Sequence, residues 1–101
     1  MAEIPIPHLV SVNSNKVNIT LSAVHNIGGE YRNYEIFQQE GKGDTLKTWQ
    51  SVANLSGSAQ TFEASGLEPN TRYAFIVCGQ MEPGNYTRCS TARSILTPPY
   101  G

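Results

Sequence analysis

Gly66-Leu67-Glu68-Pro69-Asn70-Thr71-Arg72-Tyr73-Ala74-Phe75-Ile76-Val77 reads as a turn that runs into a strand. Gly66 and Pro69 mark the turn. From Arg72 onward the residues alternate, with Tyr73, Phe75 and Val77 on one face and Arg72, Ala74 and Ile76 on the other. A period of two marks a strand with one buried face. Tyr73 opens the strand directly after the turn. There a phenol fills the core with its ring and returns its hydroxyl to the turn backbone. Leu67 plugs the bend, so Leu67, Pro69 and Tyr73 together form a tyrosine corner. Such corners belong to antiparallel sandwiches, and this stretch therefore decides the architecture while naming no partner.

Working outward, Gly, Pro, Asn and Ser interrupt the chain too often for a helix, and no long segment holds apolar residues at helical spacing. Seven short strands are predicted instead. Strand A lies within Pro7 to Val12, where neighbouring prolines suit an edge. Strand B covers about Lys16 to Val24, with Val17, Ile19, Leu21 and Ala23 inward and Asn18 outward. Strand C covers about Arg32 to Gln39, burying Tyr34 and Ile36 and turning out Glu35, Phe37 and Gln39. After a turn at Gly41-Lys42-Gly43-Asp44, strand C′ runs about Leu46 to Ala53, with Trp49 packed over the sheet. Asn54-Leu55-Ser56-Gly57 is the next turn. Strand E (about Gln60 to Ala64) points Phe62 and Ala64 inward, strand F is Arg72 to Gly79, and strand G runs about Arg88 to Thr97. The expectation is an all-β, seven-stranded antiparallel β-sandwich of sheets A-B-E and C′-C-F-G. One domain spans residues 7–97, with residues 1–6 and 98–101 as connecting segments and Met1 as an added start on a module cut from a longer protein.

A chain of 101 residues holds one core without metals. Its net charge of −1 offers no bulk attraction to nucleic acid or an anionic membrane, and no apolar run approaches the roughly 20 residues that cross a bilayer. Asn18-Ile19-Thr20, Asn54-Leu55-Ser56 and Asn85-Tyr86-Thr87 are N-glycosylation triplets without a central proline. Each falls where a glycan would stand in water, so Asn18, Asn54 and Asn85 are glycosylation candidates and favour the secretory route. A hairpin folded about Pro83-Gly84 sets Gln80 opposite Thr87 and Cys78 opposite Cys89. That register allows a cross-strand disulfide if the Cα atoms lie near ~5.5 Å. The alternatives are two reduced thiols in a cytosolic module, or pairing with a neighbouring domain.

The pattern Leu-x-Pro-x-Thr-x-Tyr-x-Phe-x-Val from Leu67 to Val77 resembles the E–F corner of a fibronectin type III domain, and the strand order resembles that family over nearly the whole chain. The family usually places Trp near the end of strand B; here Leu21 stands there. An immunoglobulin domain fits less well, because its inter-sheet disulfide needs a cysteine on strand B. The resemblance implies an immunoglobulin-like sandwich of fibronectin type III topology, protein binding, tandem repetition and a place in a receptor ectodomain, as in receptor phosphatases, receptor kinases and neural adhesion molecules.

Catalysis finds little support. His8 and His25 sit in no ligand spacing, no Gly-x-Ser-x-Gly elbow exists, and the carboxylates scatter over turns and outer faces. The expectation is a non-enzymatic module with no cofactor and no metal site. Lys42-Gly43-Asp44 is similar to Arg-Gly-Asp integrin ligands, but Gly and Asp are also what any turn uses, so integrin binding is not favoured. The better contact candidates are Phe37 and Ile76 on the outer face of C and F with Arg72 beside them, and Met81, Tyr86 and Arg88 around the F–G loop. A glycan on Asn85 would crowd that loop. The expected role is an interaction and spacer module in the extracellular part of a plasma-membrane receptor, adhesion or matrix protein. Its partners are neighbouring modules, a receptor or a ligand, without nucleic acid and without direct membrane contact. The rivals are an intracellular scaffold module with reduced cysteines, an accessory module of a secreted enzyme, and a cytokine-receptor-like domain, whose Trp-Ser-x-Trp-Ser motif is absent.

Overall fold

Val17, Ile19 and Leu21 project from one sheet, and Tyr34, Ile36, Tyr73, Phe75 and Val77 from another; Ala64 and Leu67 join them, and all ten are buried in a single apolar cluster. This is the core of a computed structural model that describes residues 8–21, 31–82 and 85–99. Nine strand segments appear among these residues: β1 (His8–Val12), β2 (Val17–Thr20), β3 (Asn33–Lys42), β4 (Thr45–Leu46), β5 (Gln50–Ser56), β6 (Thr61–Ala64), β7 (Arg72–Glu82), β8 (Asn85–Cys89) and β9 (Arg93–Leu96). They fall at seven strand positions, because β4 with β5 and β8 with β9 each share one. All described pairings are antiparallel. One sheet has the order β1-β2-β6. In the other, β3 and β7 are central, β4 and β5 flank β3, and β8 and β9 flank β7. The all-β sandwich of A-B-E and C′-C-F-G is therefore the observed fold.

Several strand limits differ from the sequence expectation. C′ is not one strand from Leu46. The two-residue β4 leaves the turn, the chain is pinned at Lys47 by its N–H donating to Glu40 O (2.9 Å) and its carbonyl accepting from Gln39 Nε2 (3.1 Å), and β5 then resumes at Gln50. Trp49 falls in that connection, half-buried and outside the apolar core. Asn54, Leu55 and Ser56 belong to β5, so the turn moves to Gly57–Ser58. Gly57 is needed there: its N–H donates to Arg32 O at 2.7 Å, and a Cβ would stand 2.2 Å from Tyr31 O.

Strand G is interrupted at Ser90–Ala92. Ser90 is buried and completes the ladder across the gap, its N–H donating to Val77 O (2.8 Å) while its Oγ accepts from Val77 N (3.0 Å). In the hairpin, Cys78 faces Cys89 as expected from the spacing, but a bulge sets Gln80 opposite Tyr86 rather than Thr87. An extra residue on one strand shifts every later pair by one. Pro83 and Gly84, Ala23 and His25 lie outside the described residues.

Candidate interaction face

The corner that organises the site is held by two hydroxyls. Gly66 (φ 71°) and Asn70 (φ 52°) take left-handed backbone, which Gly accepts freely and Asn more readily than other side chains. The turn they make aims Glu68 N–H at the Tyr73 hydroxyl, 2.8 Å away. The same hydroxyl donates to Glu40 Oε1 at 3.1 Å. Thr97 supplies the second tie: its Oγ1 accepts from Thr71 N (2.9 Å) and donates to Glu68 O (2.6 Å), so the last strand closes onto the bend. Leu67 is buried in the core beneath, whereas Pro69 is exposed on the turn. Burial raises the Tyr73 phenol above its ordinary range; the Glu68 N–H opposes that shift and the Glu40 hydrogen bond adds to it. Lys47, 2.6 Å from Glu40, holds the Glu40 carboxyl below its usual range, against partial burial and with help from Tyr73. Lys47 is raised in turn by Glu40.

β7 now carries its two faces apart. Paired residues on neighbouring antiparallel strands project to the same side, so the registers assign the outer face row by row. Leu46, Gly41, Arg72 and Leu96 form the first row. Gly41 matters here: a Cβ on it would lie 2.9 Å from Leu46 Cδ2, so its bareness lets Leu46 lie across the strand beside Arg72. Leu46 is 69% and Leu96 53% exposed. Among the described residues no carboxylate pairs with Arg72. Gln39, Ala74 and Ser94 make the next row, and Ser51, Phe37 and Ile76 the third. Phe37 and Ile76 are therefore direct cross-strand neighbours, both half-buried.

The far end of the face is polar. Asn54, Glu35, Cys78 and Cys89 form one row, and Ser56, Asn33 and Gln80 the last. Gln80 is 1% exposed although it is a glutamine on an outward-facing position. Its side chain is held by Asn33 Nδ2, donating at 2.5 Å, and by Glu35 Oε1, accepting at 3.4 Å. Cys78 and Cys89 are joined by a disulfide. Their Cα atoms are 3.9 Å apart, closer than the ~5.5 Å expected from the spacing.

The fibronectin type III domain profile matches residues 5–93, most of the chain. The chain belongs to the fibronectin type III family. The sandwich is similar to the chicken CNTN1 FN1–FN3 domains (TM-score 0.70, 20% identity, covering 92% of this chain and 30% of that one). It is also similar to the FN5 domain of Drosophila Lar (0.64, 20%, 93% and 96%) and to a human collagen XX FN3 domain (0.67, 18%, 96% and 95%). At these identities the likeness concerns the fold. A curated relative, oncosphere antigen A of Hydatigena taeniaeformis, is 34% identical over 55 residues, which span 54% of this chain and 17% of that protein. The family is one of protein-interaction modules, generally without catalysis.

As a fibronectin type III domain, the chain gathers Phe37, Ile76 and Arg72 on one face. Leu46 and Leu96 complete that face, although nothing in their sequence surroundings marked them. Both look like ordinary strand residues until the register shows them flanking Arg72. Met81 lies on β7 and Tyr86 and Arg88 on β8, beyond the row containing Cys78 or beside it; their side chains lie outside the description. Lys42 ends β3 and Gly43-Asp44 makes the turn, with Gly43 at φ 61°. The Lys42 ammonium is 3.2 Å from Glu68, which draws the cation toward the corner. Asn54 is exposed on β5, and Asn18 is half-buried on β2 between β1 and β6. Asn85 opens β8, its side chain also outside the description. Among the described residues no group of three or more His, Cys, Asp or Glu gathers as a metal site, and no helix is long and apolar enough to cross a membrane.

Proposed function

We propose that the domain is a non-catalytic extracellular module of a larger cell-surface receptor, adhesion or matrix protein, which spaces its neighbours and binds a protein partner through the outer face of the sheet at β4, β3, β7 and β9. The observation that carries this reading is the row Leu46–Gly41–Arg72–Leu96, where two exposed leucines flank a guanidinium that has no carboxylate partner among the described residues. Arg beside apolar groups is a common binding anchor, because its planar head pairs with a carboxylate while its stem packs. Phe37 and Ile76 extend the same face two rows away. The favoured partner is a protein surface that offers a carboxylate among apolar side chains.

The extracellular setting is supported by the Cys78–Cys89 disulfide together with the triplets at Asn18, Asn54 and Asn85. The name of the curated relative, an antigen, agrees with an exposed molecule. Two measurements test the proposal. Alkylation of native material before reduction should leave both cysteines unlabelled; two labelled thiols would favour the intracellular scaffold instead. A photo-crosslinker at position 96 should capture a protein partner on the native surface, and Arg72→Glu should reduce capture by about tenfold or more. Equal capture by wild type and Arg72→Glu would refute the face.

A further inference from the structure

We infer that Asn54 is the N-glycan acceptor that this fold is built to carry, its amide aimed outward by a hydrogen-bond relay, and that the glycan guards the free edge of β5. The inference rests on the secretory-route reading above. The relay starts at Glu35, whose carboxylate accepts and does not donate. The Ser51 hydroxyl donates to one oxygen and Gln80 Nε2 to the other. Gln80 is buried, so its amide has one orientation, with Oε1 toward Asn33. Asn33 Nδ2 then gives one hydrogen to Gln80 Oε1 (2.5 Å) and the second to Asn54 Oδ1 (2.7 Å). Turning any one of these amides over would set donor against donor or acceptor against acceptor. Asn54 Oδ1 is thereby held inboard, and Nδ2, on the opposite side of the same carboxamide, faces away from the sheet.

That polarity suits glycosylation. In the transfer, Nδ2 bonds the anomeric carbon of an oligosaccharyl diphosphate lipid. The anomeric C–O bond breaks with its electron pair leaving on the diphosphate, and the amide nitrogen gives up one proton to the transferase's base. The product keeps Oδ1 and one N–H, so the relay survives the substitution. Ser56, the third residue of the triplet, shares the outer face with Asn54, while Leu55 between them packs on the core. Asn18 lacks this setting: it is half-buried on the middle strand of its sheet, paired on both sides with Ser11 and Glu63.

The location also has a use. Among the described residues β5 pairs only with β3, so its other edge is open. Gln50–Ser56 contains no charge and no proline, two of the devices that stop strand addition, and has only a bulge at Val52 to blunt its edge. A glycan on Asn54 covers that edge. It stands six residues along the sheet from the row containing Arg72, about 20 Å away, and two residues, about 7 Å, from the row containing Phe37 and Ile76, so it leaves the Arg72 end clear.

The test is to secrete the 101-residue chain from eukaryotic cells behind a heterologous leader, release glycans enzymatically in heavy-oxygen water, and read each triplet by peptide mass spectrometry. Asn54 labelled in most molecules, and Asn18 in fewer, is the expected result; an unlabelled Asn54 overturns the inference. Because secretion is imposed, this outcome is separate from the native compartment, which the thiol measurement addresses. Trimming to a single N-acetylglucosamine should leave the melting midpoint equal to that of unglycosylated bacterial protein with the Cys78–Cys89 bridge formed, since the nitrogen has no role in the sheet. A fall of about 5 °C or more would show the nitrogen was needed inboard and overturn the relay.

Discussion

The Tyr73 hydroxyl is at once an acceptor for Glu68 N–H and a donor to Glu40. Tyr73→Phe keeps the ring in the core but strands the Glu68 N–H in a partly buried bend. A net loss of about 1–3 kcal/mol is expected, seen in urea unfolding as a lower midpoint with an unchanged slope. Glu40 ties the same corner to Lys47. Its folded carboxyl binds a proton more weakly than the ordinary value of 4.5 implies. Its contribution is therefore complete above the unfolded value and lost as pH falls through the lower folded one. Lys47→Met should flatten that acid limb of the stability–pH curve; an unchanged limb would place the acid sensitivity elsewhere. Lys47 is largely exposed, so added salt should weaken the effect. Tyr73 acts in the other direction. Its raised pKa means a contribution complete below the ordinary 10.0 and lost as pH rises through the folded value.

At the scale of elements, glycines set how closely strands and loops approach. Gly79 lies on the inward face of β7 beside Tyr34, and a Cβ there would meet three atoms of the Tyr31 ring at 2.7 to 2.9 Å. Tyr31 in turn packs against Tyr34, ring centroids 5.8 Å apart, and against the core. Gly79→Ala should therefore cost about 1–3 kcal/mol by overpacking. The same substitution in a Tyr31→Ala background should cost far less, because the two positions share one clash. Additive losses in that double-mutant cycle would mean the glycine serves its backbone and not the ring. The alternation of β7 foretold which residues line the core. It did not foretell Gly79 as the seat of a tyrosine, since that depends on residues entering β3 from a distant segment.

For the whole molecule, the disulfide closes the β7–β8 hairpin over a sequence separation of 11 residues. The Cys78→Ser/Cys89→Ser variant should lose about 2–3 kcal/mol, a drop of about 10–20 °C in melting midpoint for a domain of this size. The sandwich should persist, because the buried cluster between the sheets does not include the bridge. An unfolded variant at room temperature would mean the apolar core does not hold the domain without the bridge within its larger sheet.

The sequence by itself determined the sandwich, the tyrosine corner and the core residues of β2, β3 and β7. These follow from alternation and turn chemistry, which act over a few neighbouring residues. It also brought Phe37, Ile76 and Arg72 to one side. Only the tertiary structure decided what those positions meet. Thr97 clasps a bend 26 residues earlier, and Gln80 is bonded to Asn33, 47 residues away. Leu46 and Leu96 flank Arg72 only because β4, β3, β7 and β9 lie in one register. Local pattern sets which way a side chain points; partners across a sheet are set by register, and register depends on bulges and strand breaks that leave no periodic mark in the chain.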